Sequence, residues 1–154
     1  MRLLLRRNAH RVVGAEIEIA ASPDTPDRER WLWHVRLTEA TGPESASIAL
    51  NRSDGSVSAV TASVDPAAIV ADVRASEPTE TVRVVRSAAE LVVLVVGAGA
   101  VLVEGRHRLA ELDALVLAGD ELLTVAVEPR PGEAVSLATV RLRPVTGAQL
   151  SWVP

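Results

Sequence analysis

The sequence contains no cysteine, tyrosine, phenylalanine or lysine among its 154 residues. Without cysteine the chain has neither a disulfide framework nor a thiol nucleophile, and it suits a reducing compartment. Aromatic residues make up only 2% of the chain and hydrophobic residues 48%, so valine, leucine, isoleucine and alanine must fill the core. A core of β-branched and small side chains favours strands over helices.

The basic residues are all arginine, and acidic residues outnumber them, which gives a net charge of −4. No long basic block occurs, which argues against nucleic acid as the main partner. The arginines near the amino terminus flank only three leucines, Leu3–Leu5, too few for the apolar region of a signal peptide. We therefore expect a cytoplasmic protein that binds neither nucleic acid nor membranes.

Apolar and polar residues alternate along much of the chain with the period of two that is typical of half-buried strands. In GAEIEIA, Ile17 and Ile19 alternate with glutamates, and in WLWHVRL the apolar set is Trp33, Val35 and Leu37. Turn sequences such as RSDG and EPRPGE separate these segments. Short strands with such turns predict an antiparallel β-sandwich or barrel.

The segment DPAAIVADVRAS, residues 65–76, allows two interpretations. Asp65 could cap a helix that has Pro66 at its first position. Such a helix would have only about three turns and no clear apolar stripe. An irregular strand is the equally open alternative.

The longest uncharged run, LVVLVVGAGAVLV from Leu91 to Val103, could be a membrane helix, a phosphate-binding loop or a buried hairpin. It falls short of the roughly 20 residues that a membrane-spanning helix needs. A dinucleotide fingerprint needs a third glycine three positions after Gly99, where this chain has Leu102. The remaining interpretation is a hairpin with a Gly-Ala-Gly bend and two largely buried faces.

The residues that follow this run resemble the second half of a cupin-type jelly roll. They pass through an EG turn, a short strand, an acidic turn, an apolar strand and an AGD turn into another strand. In such a fold the GD turn reverses the chain, and we expect Gly119 to supply its unusual backbone angles.

Neither metal chemistry nor nucleophilic catalysis has a clear sequence signature. His10, His34 and His107 are far apart, and His107 lies between two arginines that would repel a divalent cation. No Gly-x-Ser-x-Gly elbow occurs. We therefore expect no metal and no cofactor, and we favour a non-enzymatic role. An isomerase or lyase that uses Glu and Arg side chains is the open alternative.

Four features follow one another in the first half: GAEIEIA, WLWHVRL, GPES at residues 42–45, and Arg52. They are similar to motifs of the HutD/Ves family, small bacterial proteins built from two cupin-like halves, whose corresponding turn reads GPFS. Pro66, Asp72 and Arg86 match the family further along the chain. The family's Pro-Trp-Lys-Asn-Gly-Gly-Gly run is reduced here to RVVGAE, so the resemblance is to a divergent and short member.

The resemblance implies an all-β, cupin-like jelly-roll barrel protein that forms one compact unit over residues 1–154. Its two packed halves would cover about residues 1–80 and about residues 81–154. The implied function is metal-independent binding of a small acidic metabolite, in a regulatory role linked to stress or histidine utilisation. The alternative is a structural module that acts as a homodimer. An exposed edge or face at an aliphatic strand such as 91–96 would favour that alternative.

The resemblance also indicates candidate ligand-binding residues, which are Glu18, Trp33, Arg36, Ser45 and Arg52. Glu18 and Arg52 are the best of these, because a buried guanidinium can clamp a carboxylate ligand. Each candidate also has a structural interpretation: Trp33 would anchor the core, and Ser45 would stabilise the Gly-Pro turn. Glu18 and Arg52 would then form an internal ion pair that fixes two strands.

Overall fold

A computed structural model of the chain describes residues 2–22, 32–38, 46–120, 122–146 and 150. Within these residues the backbone forms fourteen strands and one short 3₁₀ helix, Arg7–Ala9. The strands are β1 Arg2–Leu5, β2 Arg11–Val13, β3 Glu16–Ala21, β4 Trp33–Thr38, β5 Ala46–Asn51, β6 Val57–Val64, β7 Ile69–Ser76, β8 Val82–Val85, β9 Leu91–Ala98, β10 Ala100–Val103, β11 His107–Ala110, β12 Ala114–Leu117, β13 Thr124–Pro129 and β14 Ser136–Pro144. The all-β prediction is confirmed. In the described ranges no helix is long and apolar enough to cross a membrane.

The strands pair in three antiparallel sheets, which we name by their position. The N-terminal sheet has the order β2-β3-β4-β6-β5, the central sheet β1-β12-β9-β14-β7, and the C-terminal sheet β11-β10-β13-β8. The central sheet takes β1 and β7 from the first half of the sequence and its other strands from the second half. Strands therefore pair across the predicted boundary near residue 80, and the division into two halves stays a prediction.

Strand β9 lies in the middle of the central sheet. All eight residues of β9 are buried. Its alternate side chains enter two different cores: Leu91, Val93 and Val95 pack toward the N-terminal sheet, and Val92, Leu94 and Val96 toward the C-terminal sheet. A strand with neighbours on both edges and a packed layer on each face has no position for a solvated polar side chain. This position explains the long uncharged run.

The hairpin predicted for that run is wrong, although the burial of both faces is confirmed. β9 pairs with β12 and β14, whereas β10 pairs with β11 and β13, so the chain changes sheets at Gly99. Gly99 has a φ of +67°, and a side chain there would meet the carbonyl of Ala134. A side chain at Gly97 would overlap Leu50 and the carbonyl of Asn51. Glycine is required at both positions because other segments approach the backbone closely.

The central position of β9 also bears on the homodimer alternative. Residues 91–96 form neither a free sheet edge nor an exposed face, so the feature that would have favoured a homodimer is not found there.

Residues 65–76 form a turn followed by strand β7, so the helix interpretation is wrong. The backbone N–H of Ala67 donates to Oδ1 of Asp65 at 3.0 Å, and the N–H of Ile69 donates to the Asp65 carbonyl at 2.9 Å. From Ile69 onward β7 pairs with β14 along its whole length. At the later GD turn, Gly119 has a φ of +71°, as predicted.

Candidate functional site

Glu18 and Arg36 lie directly opposite each other on the neighbouring strands β3 and β4. Their side chains are on the face of the N-terminal sheet that points away from the central sheet, because the alternate residues of both strands pack inward. Arg36 donates from Nη1 to Oε2 of Glu16 at 2.6 Å and from Nη2 to Oγ of Ser63 at 3.2 Å. Nε2 of His34 lies 2.9 Å from Oε2 of Glu18. Two of the predicted residues are therefore part of one polar network, the outer-face network.

A bulge in β3 gives this network its geometry. Glu18 pairs with Arg36 but Ala20 pairs with Val35, so Ile19 is an extra residue in β3. Ile19 and Ala20 are both buried in the core. The bulge therefore lets two successive residues pack inward while Glu18 stays on the outer face beside His34.

The imidazole of His34 is neutral at neutral pH. Burial lowers the pKa of His34 from its ordinary value of 6.5, the carboxylate of Glu18 raises it, and the guanidinium of Arg36 lowers it again; the net shift is downward. A neutral imidazole can still donate one hydrogen bond, and the acceptor within reach of Nε2 is the Glu18 carboxylate. The outer-face network therefore carries two carboxylates and one guanidinium.

Trp33 lies on the opposite face of the same sheet and is only 1% exposed. Its indole packs in the core between the N-terminal and central sheets. Oγ of Ser22 accepts hydrogen bonds from the backbone N–H of Leu32 at 2.8 Å and of Trp33 at 3.2 Å, which fixes the start of β4. This placement is that of a core anchor. Ser45, the fourth predicted residue, lies outside the described residues.

Arg52 follows the end of β5, and its side chain contacts residues other than Glu18. Its Nε donates to Oε1 of Glu111 at 2.7 Å, and its Nη1 donates to Oγ of Ser58 at 3.1 Å. A tight turn sets its backbone, because its N–H donates to the carbonyl of Ser56 at 2.9 Å. The predicted Glu18–Arg52 ion pair is therefore wrong: Glu18 contacts His34, and Arg52 is paired with a residue of the second half.

The carboxyl of Glu111 is ionised in this pair. Burial raises the pKa of Glu111, but hydrogen bonds from the Arg52 guanidinium and from Ser53 lower it by more, and the net pKa is below the ordinary value of 4.5. Only 15% of the Arg52 side chain and 25% of the Glu111 side chain are exposed. A half-buried, ionised pair of this kind holds the guanidinium in one orientation.

Arg52 and Glu111 lie in the wall of an open cleft of about 1340 Å³, which we name the Arg52 cleft. Its walls come from the ends of strands in all three sheets: residues 51–53, 77–81, 98–100 and 128–136, with Arg108, Ala110 and Glu111. The link between β9 and β10, residues 98–100, also lines this cleft. There the backbone N–H of Gly99 donates to Oγ of Ser53 at 3.3 Å. Of the four predicted site residues that the structure describes, only Arg52 lines the Arg52 cleft.

The residues that sequence reasoning missed belong to the turn between β11 and β12, Glu111 to Asp113. Asp113 is 6% exposed and accepts hydrogen bonds from Nη1 of Arg6 at 2.7 Å and from the N–H groups of Arg7 and Ala110 at 3.0 Å each. Burial raises the pKa of Asp113, but these donors lower it by more, to below its ordinary value of 3.8. The acidic turn ELD was visible in the sequence, but nothing local distinguished it from a solvated turn.

Arg86, which matched the family pattern, is buried and bonds to backbone carbonyls of two turns. It is 4% exposed, and its guanidinium donates to the carbonyls of Ser87 at 2.9 Å, Glu90 at 2.9 Å and Gly119 at 2.6 Å. Burial lowers its pKa below the usual range, against Glu90 and Asp120, which raise it. Arg86 therefore joins the turn before β9 to the GD turn.

In the part of the chain that the structure describes, no three His, Asp or Glu side chains are grouped closely enough to hold a metal ion. The charged groups described above instead form pairs and networks within the protein. The arrangement can bind a charged ligand through the guanidinium and carboxylate groups of the Arg52 cleft.

The sequence matches no protein-family model and no curated protein sequence. Among solved structures, the chain is similar to PA5104, a conserved protein of unknown function from Pseudomonas aeruginosa PAO1. The TM-score is 0.63 at 15% identity, over 94% of this chain and 100% of that chain. It is also similar to HutD from Pseudomonas fluorescens SBW25, determined in a formate condition, with a TM-score of 0.59 at 14% identity, over 94% of this chain and 99% of that chain.

The chain has a HutD-like cupin fold. The cupin-like architecture predicted from the strand order and from the HutD/Ves resemblance is therefore confirmed. The likeness extends over nearly the whole chain.

Proposed function

We propose that this chain is a metal-independent, cupin-like protein that binds a small acidic metabolite in the Arg52 cleft and has a regulatory role in the cytoplasm. The observation that supports it is the guanidinium of Arg52, which Glu111 and Ser58 hold at the wall of an open cleft. These two contacts use Nε and Nη1. A guanidinium has five N–H donors, so Arg52 retains donors for a ligand carboxylate.

The fold shared with HutD supports the biological part of the proposal, a role in histidine utilisation or stress. The HutD structure was determined in a formate condition. Formate and larger carboxylic acids, including intermediates of histidine degradation, are therefore the first compounds to test.

A thermal-shift screen of these acids tests the proposal, with Arg52→Gln as the diagnostic variant. A ligand at a hundredfold excess over its Kd stabilises the folded state by about 2.7 kcal/mol, which raises the melting temperature measurably. Arg83→Gln is the matched control, because Arg83 is exposed on β8 outside the cleft. We expect the stabilisation to be lost in Arg52→Gln and kept in Arg83→Gln. Stabilisation that survives in Arg52→Gln would show that the cleft does not hold the carboxylate through Arg52.

A homodimer is the second candidate function, and one observation favours it. Val85 and Leu123 are 58% and 43% exposed. They are neighbours at one end of the C-terminal sheet, because Val85 pairs with Thr124 on β13. β8 is an edge strand of that sheet, where a second copy could add its own strand. Light scattering of the wild type and of Val85→Arg tests this candidate: a dimer that becomes monomeric in the variant supports it, and a wild-type monomer excludes it.

A further inference from the structure

We propose that the ligand of the Arg52 cleft is a zwitterion, which carries a cationic nitrogen at a distance from its carboxylate. This inference rests on the proposed function, because it specifies the chemical class of the ligand for the same cleft. It follows from the distribution of charge over the cleft walls.

The cleft has an excess of negative charge. Five glutamates and three arginines line it. Arg52 is paired with Glu111 at 2.7 Å, and Arg130 with Glu133 at 3.2 Å. The charged groups that remain among the described cleft residues are one cation, Arg108, and three carboxylates, those of Glu77, Glu80 and Glu128. The side-chain amide of Asn51 donates a hydrogen bond to Glu77. A ligand with two carboxylates and no cation would add its charge to a cleft that is already negative.

The strand register places Arg108 and Glu128 on the same face of the C-terminal sheet, on the two strands that flank β10. We name these two sides of the cleft the β11 wall and the β13 wall. Leu102 of β10 pairs with Arg108 of β11 on one side and with Glu128 of β13 on the other. Residues that are directly opposite across a sheet have side chains on the same face, and two strand spacings amount to about 10 Å. Within the described residues, neither the Arg108 nor the Glu128 side chain has a hydrogen bond or ion pair. A cation and an anion therefore face the same cleft without compensating each other.

Further charges extend each wall. Glu80 precedes β8, whose first residue Val82 pairs with Val127 of β13, so Glu80 lies at the same end of this strand pair as Glu128. On the other wall, the Arg52 guanidinium is held against the turn that follows β11. The β11 wall therefore offers guanidinium donors to a carboxylate, and the β13 wall offers carboxylates to an ammonium group.

Four probes of the same carbon number separate these contributions: γ-aminobutyrate, butyrate, n-butylamine and succinate. Calorimetric titration of the full chain at low salt measures their affinities, because salt would screen these half-exposed charges. We expect γ-aminobutyrate to bind at least about tenfold more tightly than the other three probes. Glu128→Gln should weaken γ-aminobutyrate about tenfold and strengthen succinate, because it removes the attraction and the repulsion at the same position. Arg83→Gln should match the wild type for all four probes.

The outcomes separate this inference from the proposed function. If butyrate or succinate binds as tightly as γ-aminobutyrate and Arg52→Gln abolishes both, the proposed function stands and the zwitterion is overturned. If none of the three carboxylates binds, or n-butylamine binds best, both are overturned. A preference for γ-aminobutyrate that is unchanged in Glu128→Gln would overturn the assignment of the β13 wall to the ammonium group.

Discussion

His10 donates a hydrogen bond from Nε2 to the carbonyl oxygen of Leu112 at 2.6 Å, across 102 positions of the sequence. Leu112 has a φ of 64°, in the left-handed region that a leucine rarely adopts. Its N–H donates to the carbonyl of Val96 at 2.7 Å. Contacts from the N-terminal segment and from β9 therefore hold the unfavourable backbone of Leu112, and the residue before it, Glu111, orients Arg52.

Asp113→Asn should destabilise the protein by about 1.5–3 kcal/mol, because Asp113 is buried and accepts three hydrogen bonds, one of them from a charged donor. Urea denaturation measures the change in the free energy of unfolding. Arg6→Gln is the matched variant: the Arg6 side chain is 51% exposed, and its loss should cost less than about 1 kcal/mol. Equal losses in the two variants would show that the backbone donors of Arg7 and Ala110 contribute little.

His34 should make the folded state less stable in mildly acidic solution. Its pKa in the folded state is below 6.5, chiefly because of burial, so the unfolded chain binds more protons as the pH falls through 6.5. Stability therefore increases with pH in this range, by at most about 1.4 kcal/mol per pH unit from one histidine. His34→Gln should reduce this slope, measured by urea denaturation at several pH values. A slope that is identical in wild type and variant would contradict the assignment to His34.

Leu94→Ala should cost about 2–5 kcal/mol, because Leu94 is fully buried in the middle of the central sheet and its removal leaves a cavity. Leu123→Ala makes the same chemical change at a residue that is 43% exposed, and it should cost less than about 1 kcal/mol. Chemical denaturation of both variants checks the difference. A small loss for Leu94→Ala would mean that β9 is not packed on both faces.

Gly97→Ala should destabilise by about 1–3 kcal/mol or more, because the added methyl group would overlap Leu50 and the backbone carbonyl of Asn51. Gly105→Ala is the control for backbone conformation alone. Gly105 has a φ of +60° with no atom near the added group, so its cost should be about 1–2 kcal/mol. Only Gly97→Ala should also perturb the Arg52 cleft, and a difference in the amide NMR signals of residues 51–53 between the two variants would reveal it.

The strands and the sharing of one face by their apolar residues could be predicted from the sequence. The alternation in GAEIEIA and WLWHVRL correctly predicted strands, with Trp33, Val35 and Leu37 on one face. The structure shows that this face packs in the core. The uncharged run correctly predicted a strand with both faces buried. These predictions succeed because the side-chain direction in a strand depends on local periodicity.

Ion pairs and strand pairings between residues distant in the sequence could not be predicted. Arg52 meets Glu111 across 59 positions, and nothing near either residue specifies the other. The change of sheets at Gly99 escaped prediction for the same reason, since a Gly-Ala-Gly bend is equally compatible with a hairpin. The structural interpretation of Arg52 as the ion-pair partner of Glu18 was wrong for the same reason, because Arg52 pairs with a residue of the second half.

The position of β1 at the edge of the central sheet has a consequence for how the protein is made. β1 pairs with β12, which lies far along the chain: Arg2 pairs with Leu117 and Leu5 with Ala114. Among the described strands, β12 is the partner of β1, so β1 stays unpaired until β12 has been synthesised. Such long-range pairing slows folding, because a large loop must close before any stabilising contact forms. The nascent chain therefore carries β1 open to misassembly until β12 emerges, and its yield in cells should depend on chaperones more than its final stability suggests.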